Sequence, residues 1–355
     1  MSKFLDLHIL QTVPASCINR DGLNAPKTVI YGGSLRSRVS SQAWKYAMRK
    51  NFQLDSDQWV QSKRTKDMHK FLADAIQKQD NSIDRDQAVQ MAVDVLAAGK
   101  IKVDFDKTTK TYTGTSTQLA LSQGQIDNLA KFALTHTKDD LKKADVQKAL
   151  NDVFVHYNSL DLALFGRMVA SDTSLTVYAA CQVAHAFSVN ASDPQFDFFA
   201  AVDDNPDHEG ADMLRSVGFN SGTLYRYSNL NLDLLKSNLA DQDKFEEAIK
   251  LYIREFALSM PTGKENSYAN KTLPYYILAI VRDDTPVNLA SSFETPVASR
   301  TGYEQKAVEK LEASYDNSLK FVDKPEYLAC LSTAHSKFAQ ADNLNNLINH
   351  VINNL

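Results

Sequence analysis

The chain contains no proline between Pro26 and Pro194. Because proline interrupts helices and central strands, so long an interval without it permits long uninterrupted helices. Glycine, the other residue that weakens helices, is also sparse there. The pattern predicts that residues 58–98 and 124–158 are mainly helical, with a small hairpin between them. We therefore expect residues 55–158 to form a helical insert within the rest of the chain.

The composition is that of an ordinary globular protein. Its 355 residues are 43% hydrophobic and 23% charged, and this length allows two or three folding units. The longest apolar run, residues 275–281, is far shorter than the roughly 20 residues of a membrane helix. The first residues lack the apolar core of a signal peptide, and the three cysteines lack zinc-site spacing. We expect a cytoplasmic protein without membrane contact.

The remaining elements are predicted from alternation and helical periodicity. Residues 4–11 alternate, which indicates a half-buried strand, and residues 12–39 are predicted to be a long irregular loop. His8 would be a satisfied histidine on the sheet face or a ligand contact, and His185 would lie in the core. Further strands are expected at 160–168, 177–188, 223–234 and 275–282, although a helix competes with the strand at 177–188. Helices are expected at 42–51, 243–260, 303–322 and 336–353.

Without its insert, the chain runs strand, helix, two or three strands, helix, strand. This order is typical of the split βαβ, ferredoxin-like fold, which RRM-type RNA-binding proteins share. Residues 190–222 hold acidic clusters, prolines and several phenylalanines, which indicates an extended excursion from the core. The predicted fold class is therefore α+β, with an RRM-like core, a large helical insert and an extended excursion.

Positive charge is concentrated near the start of the chain. Residues 1–50 carry eight basic and two acidic side chains, although the whole chain has a net charge of −4. Such a block can be a solvated face of no special function, or a local anion site on an acidic protein. The order of its residues, in the segment SCINRDGLNAPKTVIYGGSLRSRVSSQAWKYAMRK, favours the second interpretation.

Within this segment the basic residues follow elements that suit phosphate. The Gly-Gly turn allows close approach of a backbone, and Arg36 and Arg38 would share one side of a strand. A helix then begins with two serines, and helix N-termini bind anions. Lys45 and Arg49 would continue the positive surface along that helix. Since Tyr31 is the one aromatic candidate for base stacking, we expect contact with a nucleic-acid backbone and little base readout.

No catalytic or metal-binding motif is present in the sequence. Dinucleotide and P-loop glycine motifs, a nucleophile elbow and zinc-protease motifs are all absent, and no two histidines are three or four residues apart. The carboxylate pairs are adjacent residues, which point apart on helices and strands. The adjacent aspartates are Asp139–Asp140, Asp203–Asp204 and Asp283–Asp284. We expect no catalytic residues, no metal and no cofactor.

The same segment closely resembles the CasC-type backbone subunits of the type I-E CRISPR surveillance complex, Cascade. The likeness continues in LFGRM (164–168), AHA (184–186), DFFAAVDD (197–204), FNSGTLYRYSNLNL (219–232) and PTGKENSYA (261–269). It implies a palm with a modified RRM fold, a fingers domain in the insert and a thumb in the excursion. The implied boundaries are palm 1–54, fingers 55–158, palm strands 159–192, thumb 193–223 and palm completion 224–355.

The resemblance also implies a non-catalytic function. Copies of such a subunit stack along a CRISPR guide RNA beside other Cascade subunits and present the guide for pairing with target DNA. The implied RNA contacts are Arg20, Lys27, Ser40, Gln42, Lys45, Arg49, Met168 and Lys264. To these we add Arg36 and Arg38 from the basic strand and Arg167, which precedes Met168. In the thumb, Phe198, Phe199 and Leu214 would displace nucleotides at regular intervals.

Two other functions stay open at this point. The chain could be a metal-dependent RNA endonuclease on a related RRM-like palm, with Asp21 as the loop carboxylate. It could also be a monomeric RRM-like RNA-binding protein, for which the excursion at 190–222 has no obvious use.

Overall fold

A computed structural model of the chain describes residues 2–55, 61–169, 171–202 and 211–355. The chain divides into two compact units. The first unit comprises Met1–Asn51, Gln182–Leu230 and Ile249–Leu355, and the second comprises Phe52–Cys181 and Asn231–Ala248. In the described ranges, no helix is long and apolar enough to cross a bilayer.

Strands and helices are mixed along the chain. The strands are β1 (Phe4–Ser16), β2 (Thr28–Tyr31), β3 (Ser34–Val39), β4 (Lys63–Thr65), β5 (Val103–Asp106), β6 (Thr111–Thr115), β7 (Leu119–Leu121), β8 (Cys181–Val183), β9 (Ala186–Ser188), β10 (Gln195–Val202), β11 (Ala211–Asn231), β12 (Tyr276–Arg282) and β13 (Tyr327–Ser332). The helices are α1 (Ser41–Asp55), α2 (Met68–Gln79), α3 (Arg85–Ala98), α4 (Gln123–Thr135), α5 (Ala144–Val155), α6 (Leu160–Phe165), α7 (Leu232–Asn238), α8 (Phe245–Leu258), α9 (Glu265–Tyr268), α10 (Glu304–Ser318) and α11 (Leu344–Ile352). The predicted α+β class is confirmed.

The first unit is built on one large sheet with the strand order β13-β12-β1-β11-β9-β3-β2. Strand β12 pairs antiparallel with both β1 and β13, and all seven of its residues are buried. This confirms the central strand predicted from the apolar run. Strand β13 was not predicted, and the predicted helix at 336–353 begins only at Leu344.

Residues 5–11 of strand β1 are buried on both faces, so the prediction of a half-buried strand at 4–11 is wrong. Its buried polar residues bond to other parts of the protein. The Asp6 carboxylate accepts hydrogen bonds from the Tyr227 hydroxyl (2.7 Å) and the Val287 N–H (3.1 Å), and the His8 Nδ1 atom lies 3.0 Å from the Tyr225 hydroxyl. Burial raises the pKa of Asp6 to about 6 and lowers the pKa of His8 to about 3. His8 is thus a core histidine rather than a ligand contact, with a hydrogen-bond partner at Nδ1 and none at its buried Nε2 among the described residues.

The predicted loop at 12–39 is largely strand. Strand β1 continues to Ser16, and β2 and β3 form an antiparallel hairpin turned by Gly32 and Gly33, with φ angles of 56° and 71°. Glycine adopts these angles without strain, and two positive φ values are typical of a type I′ turn. A Cβ atom on Gly32 would lie 1.7 Å from the Glu294 carbonyl oxygen, so a side chain at this position would collide with the backbone of the same protein.

The excursion is an antiparallel pair of strands. Strand β10 pairs with the first half of β11 from Gln195 opposite Phe219 to Val202 opposite Ala211. Strand β11 is 21 residues long, and its second half enters the large sheet, where Leu224 and Tyr225 pair with β9. One strand therefore joins the excursion to the sheet. The predicted carboxylate pair Asp203–Asp204 lies outside the described residues.

The second unit is mainly helical, as predicted. Its core includes Leu72 of α2, Leu96 of α3, Leu129 of α4 and Phe154 of α5, and β5 and β6 form the predicted hairpin. The strand predicted at 160–168 is wrong, because these residues include helix α6. Residues 160–164 are all buried, so the spacing of their leucines cannot distinguish the period of a helix from that of a strand.

Candidate nucleic-acid interface

Helix α1 separates its apolar and polar sides as predicted. Trp44 and Met48 are buried, whereas Gln42 is exposed and Lys45 and Arg49 are half-buried. Residues at i, i+3 and i+7 share one side of a helix, so Gln42, Lys45 and Arg49 form a single polar stripe. The buried side fixes the helix, and the polar stripe can contact a ligand.

A buried arginine holds this helix in place. The Arg226 guanidinium carbon lies 3.7 Å from the centroid of the Trp44 ring and 4.9 Å from that of Phe256. Its Nη1 atom donates a 2.6 Å hydrogen bond to Gln11 Oε1. Burial lowers the pKa of Arg226 to about 9, and the faces of two aromatic rings offset part of the cost of burying the charge. Residues of β1, β11 and α8 thus orient α1 through its tryptophan.

The first turn of α1 is capped by its neighbours. Ser40 is buried, and its hydroxyl oxygen accepts a 3.3 Å hydrogen bond from the Ala43 N–H. The Ser40 N–H donates to Asn19 Oδ1 at 2.9 Å, and the Ser41 N–H donates to His185 Nδ1 at 2.9 Å. Ser40 therefore has a capping role in the helix, and its predicted contact with RNA stays a prediction.

The loop before β2 is organised by Asp21. Its Oδ1 atom accepts hydrogen bonds from the Leu23 N–H (2.8 Å) and the Ala25 N–H (3.0 Å). This is a turn-forming role that aspartate often has in loops. The neighbouring Arg20 is exposed and donates to Asn24 Oδ1 at 3.3 Å. The geometry gives the proposed endonuclease carboxylate a structural function.

The loops that carry the predicted contacts Arg20 and Lys264 meet at one polar cleft. The cleft has a volume of about 390 Å³ and is lined by Ile18, Asn19, Arg20, Asp21, Asn24 and Gly263. A Cβ atom on Gly263 would lie 2.4 Å from the Ile18 carbonyl oxygen, so the two loops touch. Burial raises the pKa of the Cys17 thiol, and both Lys264 and Arg20 act on that thiol in the opposite direction. Lys264 follows Gly263 directly, so its backbone lies next to the cleft that Arg20 lines.

The prediction that Arg36 contacts RNA is wrong, because its side chain is fully buried. Nη1 donates to the carbonyl oxygens of Ser188 (2.8 Å) and Val189 (3.0 Å), and Nη2 donates to those of Phe293 (2.8 Å) and Glu294 (3.1 Å). Four carbonyl acceptors occupy the guanidinium donors that a phosphate would need. Arg36 therefore joins two backbone segments in the core of the first unit and does not contact RNA.

Arg38 lies two residues further along β3 and is half-buried. Its N–H donates to the Lys27 carbonyl oxygen at 2.9 Å, so the backbones of these two predicted contacts are adjacent. His185, which we predicted to lie in the core, is exposed, and the nearby charges of Arg38 and Lys27 contribute to lowering its pKa. Its position in a break between β8 and β9 explains the error, because the sequence alternates there like a continuous strand.

The predicted RNA contact of Arg167 is wrong as well. It belongs to the second unit, where it is only 6% exposed. Its guanidinium donates to the carbonyl oxygens of Ala120 (3.1 Å), Phe154 (2.6 Å) and Leu175 (2.8 Å). By contrast Met168, the next residue, is 85% exposed although composition alone would assign it to a core. Of this pair only Met168 is available for contact with RNA.

The β10–β11 strand pair has exposed aromatic side chains on both faces. Phe196 and Phe198, which alternation puts on one face, are 71% and 68% exposed, and Phe199 on the other face is 39% exposed. The backbone of Leu214 pairs with Ala200, while the Leu214 side chain lies outside what the structure describes. Exposed aromatics of this size indicate a contact surface.

Comparisons with known proteins agree with this geometry. The family model of the CT1975-like proteins, Cas_CT1975, matches residues 5–354. A chain of a solved "CRISPR RNA-guided surveillance complex, pre-nicking" is 32% identical, with a TM-score of 0.84 and coverage of 99% of both chains. A chain of a second solved "CRISPR RNA-guided surveillance complex" is 27% identical, with a TM-score of 0.74 and the same coverage. No curated protein matches. The resemblance inferred from the sequence is confirmed, and the chain belongs to the CT1975-like family, the CasC-type backbone subunits of the type I-E surveillance complex Cascade.

Proposed function

We propose that this chain binds a CRISPR guide RNA through the sugar–phosphate backbone and presents the bases for pairing with target DNA. The observation that carries the proposal is the polar stripe of α1, held outward by the buried Trp44. We define the basic face as this stripe together with the other predicted cations that are exposed or half-buried. It consists of Arg20, Lys27, Arg38, Gln42, Lys45, Arg49 and Lys264.

The chemistry of the basic face favours backbone contact over base readout. Six of its seven residues are cations, which pair with phosphates whatever the base. Tyr31, the candidate for base stacking, has its ring 4.9 Å from that of Phe187, so it is engaged within the protein. Sequence recognition would then be delegated to base pairing between guide and target, as in other RNA-guided complexes. The family is generally non-catalytic, and no step of this function needs a catalytic group.

We further propose the arrangement that the resemblance implied. The sheet of the first unit would be the palm, with a modified RRM fold, residues 55–158 the fingers and residues 193–223 the thumb. Copies of the chain would stack along the RNA, each thumb would reach a neighbouring copy, and other Cascade subunits would complete the complex. The exposed Phe198, together with Phe199 and Leu214, would separate nucleotides at the contact, and unstacking costs a few kcal/mol per step. Cys17, Cys181 and Cys330 are buried and form no disulfide among the described residues, which agrees with assembly in the cytoplasm.

Removing two charges from α1 tests the proposed RNA contact. We expect the double variant Lys45→Ala/Arg49→Ala to bind RNA more weakly whatever the RNA sequence. Each lost phosphate contact should reduce the slope of log K against log salt by roughly 0.7 for single-stranded RNA, so by about 1.4 for the pair. The slope is measured by titrating labelled RNA at several salt concentrations.

A matched control separates local contacts from the loss of net charge. Lys320 and Lys324 are exposed and lie between α10 and β13, which is at the opposite end of the sheet order from β2 and β3. Lys320→Ala/Lys324→Ala removes the same charge and should leave the slope unchanged. Equal slopes for the α1 variant and the wild type, with the helix intact by circular dichroism, would contradict the proposal.

A further inference from the structure

We propose that His185 is a further guide-RNA contact, and that its neutral ring donates a hydrogen bond from Nε2–H to a phosphate oxygen or a ribose 2′-hydroxyl. This inference rests on the proposed function and adds an uncharged donor to its basic face. The sequence analysis expected His185 in the core, so neither its count of charges nor its hydrophobic pattern identified this residue as an RNA contact.

The location of His185 follows from strand pairing. Residues 184 and 185 interrupt the edge between β8 and β9, and β9 then pairs with β3 through Phe187 opposite Arg38 and Ala186 opposite Val39. Because β3 leads directly into α1, the residue before Ala186 lies beside the junction of strand and helix. His185 is exposed at this junction, close to Lys27 and Arg38 of the basic face.

The hydrogen bond at the helix start determines the tautomer. The Ser41 N–H lies 2.9 Å from His185 Nδ1, and a backbone N–H can only donate. Nδ1 must therefore accept with its lone pair, which leaves the single ring proton of neutral histidine on Nε2. Partial burial, and then the charges of Arg38 and Lys27, lower the pKa of His185 below its usual value of 6.5. Both effects keep the ring neutral near pH 7.

The ring thus has a fixed acceptor at one end and a donor at the other. Within the part of the chain that the structure describes, no protein group accepts a hydrogen bond from Nε2. Lys27 and Arg38 would attract an RNA backbone to this place, where the Nε2–H of the exposed His185 can add a directional hydrogen bond. A positively charged His185 would carry a proton on Nδ1 as well and would therefore lose its hydrogen bond from the Ser41 N–H.

Two amide substitutions separate the two ends of the ring. In His185→Asn the amide oxygen can replace Nδ1 as the acceptor for Ser41, but no donor reaches the position of Nε2. In His185→Gln the longer side chain returns an N–H donor to that position. We expect His185→Asn to weaken binding of single-stranded RNA about three- to tenfold, the range for one neutral hydrogen bond, and His185→Gln to recover much of the loss.

The salt dependence provides a readout that a merely structural histidine would not give. A neutral donor releases no counterion, so His185→Asn should lower affinity equally at all salt concentrations and keep the wild-type slope. If His185 only caps α1, His185→Asn will bind RNA like the wild type, and the proposal is overturned. A weakened variant with a flattened slope would also overturn it, because that result means displaced lysine and arginine contacts.

The same titration with DNA of the same sequence identifies the acceptor. If the acceptor is the 2′-hydroxyl, the effect of His185→Asn disappears on DNA, whereas a phosphate acceptor preserves it. Either result supports the contact. The proposed function is tested separately by Lys45→Ala/Arg49→Ala. If the salt slope flattens in Lys45→Ala/Arg49→Ala while His185→Asn binds RNA like the wild type, only the inference about His185 is rejected. If the salt slope of Lys45→Ala/Arg49→Ala stays at the wild-type value, the proposed function itself is rejected.

Discussion

Replacing Arg36 by alanine should destabilise the protein by about 4 kcal/mol or more, which is an exceptionally large effect for a point mutation. The substitution removes a fully buried guanidinium and leaves the carbonyl oxygens of Ser188, Val189, Phe293 and Glu294 without their donor. Each buried group that loses its partner costs about 1–3 kcal/mol, and the cavity adds to this. Urea unfolding measures the effect as a lower midpoint at an unchanged m-value.

Arg38→Ala is the matched control for Arg36→Ala. It removes the same side chain from the same face of β3, but Arg38 is only half-buried. We expect its unfolding free energy to change by about 1 kcal/mol or less, while its affinity for RNA falls. An Arg36→Ala protein with wild-type stability and weakened RNA binding would contradict the structural role of Arg36 and return it to the RNA contacts.

Deleting the β10–β11 strand pair should abolish assembly on RNA and leave the fold intact. Gln195 and Phe219 are register partners, so residues 196–218 can be replaced by a short Gly-Ser turn that joins two paired positions. The exposed Phe196 and Phe198 contribute little to the core, and we expect an unfolding temperature close to that of the wild type. The shortened protein should bind RNA weakly as a monomer, because it has lost the proposed contact between copies.

Particle size on RNA and the unfolding temperature are measured on the same shortened protein. A lower unfolding temperature with assembly preserved would mean that the excursion folds against its own chain. Full-size assemblies would reject the proposed thumb. Phe196→Ala/Phe198→Ala is a milder version of the test, and Phe321→Ala, which removes an 89% exposed aromatic outside the excursion, is its control.

The sequence predicted those features that depend on near neighbours in the chain. The two sides of α1 follow from helical spacing, and the sharp turn at Gly32 follows from two adjacent glycines. The central strand β12 follows from an apolar run that is buried on both faces. Each of these needs only local conformation and hydrophobic pattern, and each was confirmed.

The errors arise where distant residues supply the partner. Nothing near Arg36 in sequence indicates that carbonyl groups from residues 188–189 and 293–294 surround it, so its charge predicted exposure. The strand at 4–11 was expected to be half-buried for a similar reason, although Tyr227 and Val287 provide hydrogen bonds to its buried Asp6. His185 is the opposite case, because its apolar neighbours predicted burial and a break between two strands exposes it.

The central claim is that this chain is a guide-RNA-binding backbone subunit, and its most direct test is the nucleic acid that it retains. The protein is purified from its source under native conditions, the complex is sized, and the bound RNA is extracted and sized. We predict a large complex with several copies of the chain and RNA of one uniform length. A monomer with no RNA, or with RNA of mixed lengths, would contradict the account, as would metal-dependent cleavage of added RNA that is lost in Asp21→Ala.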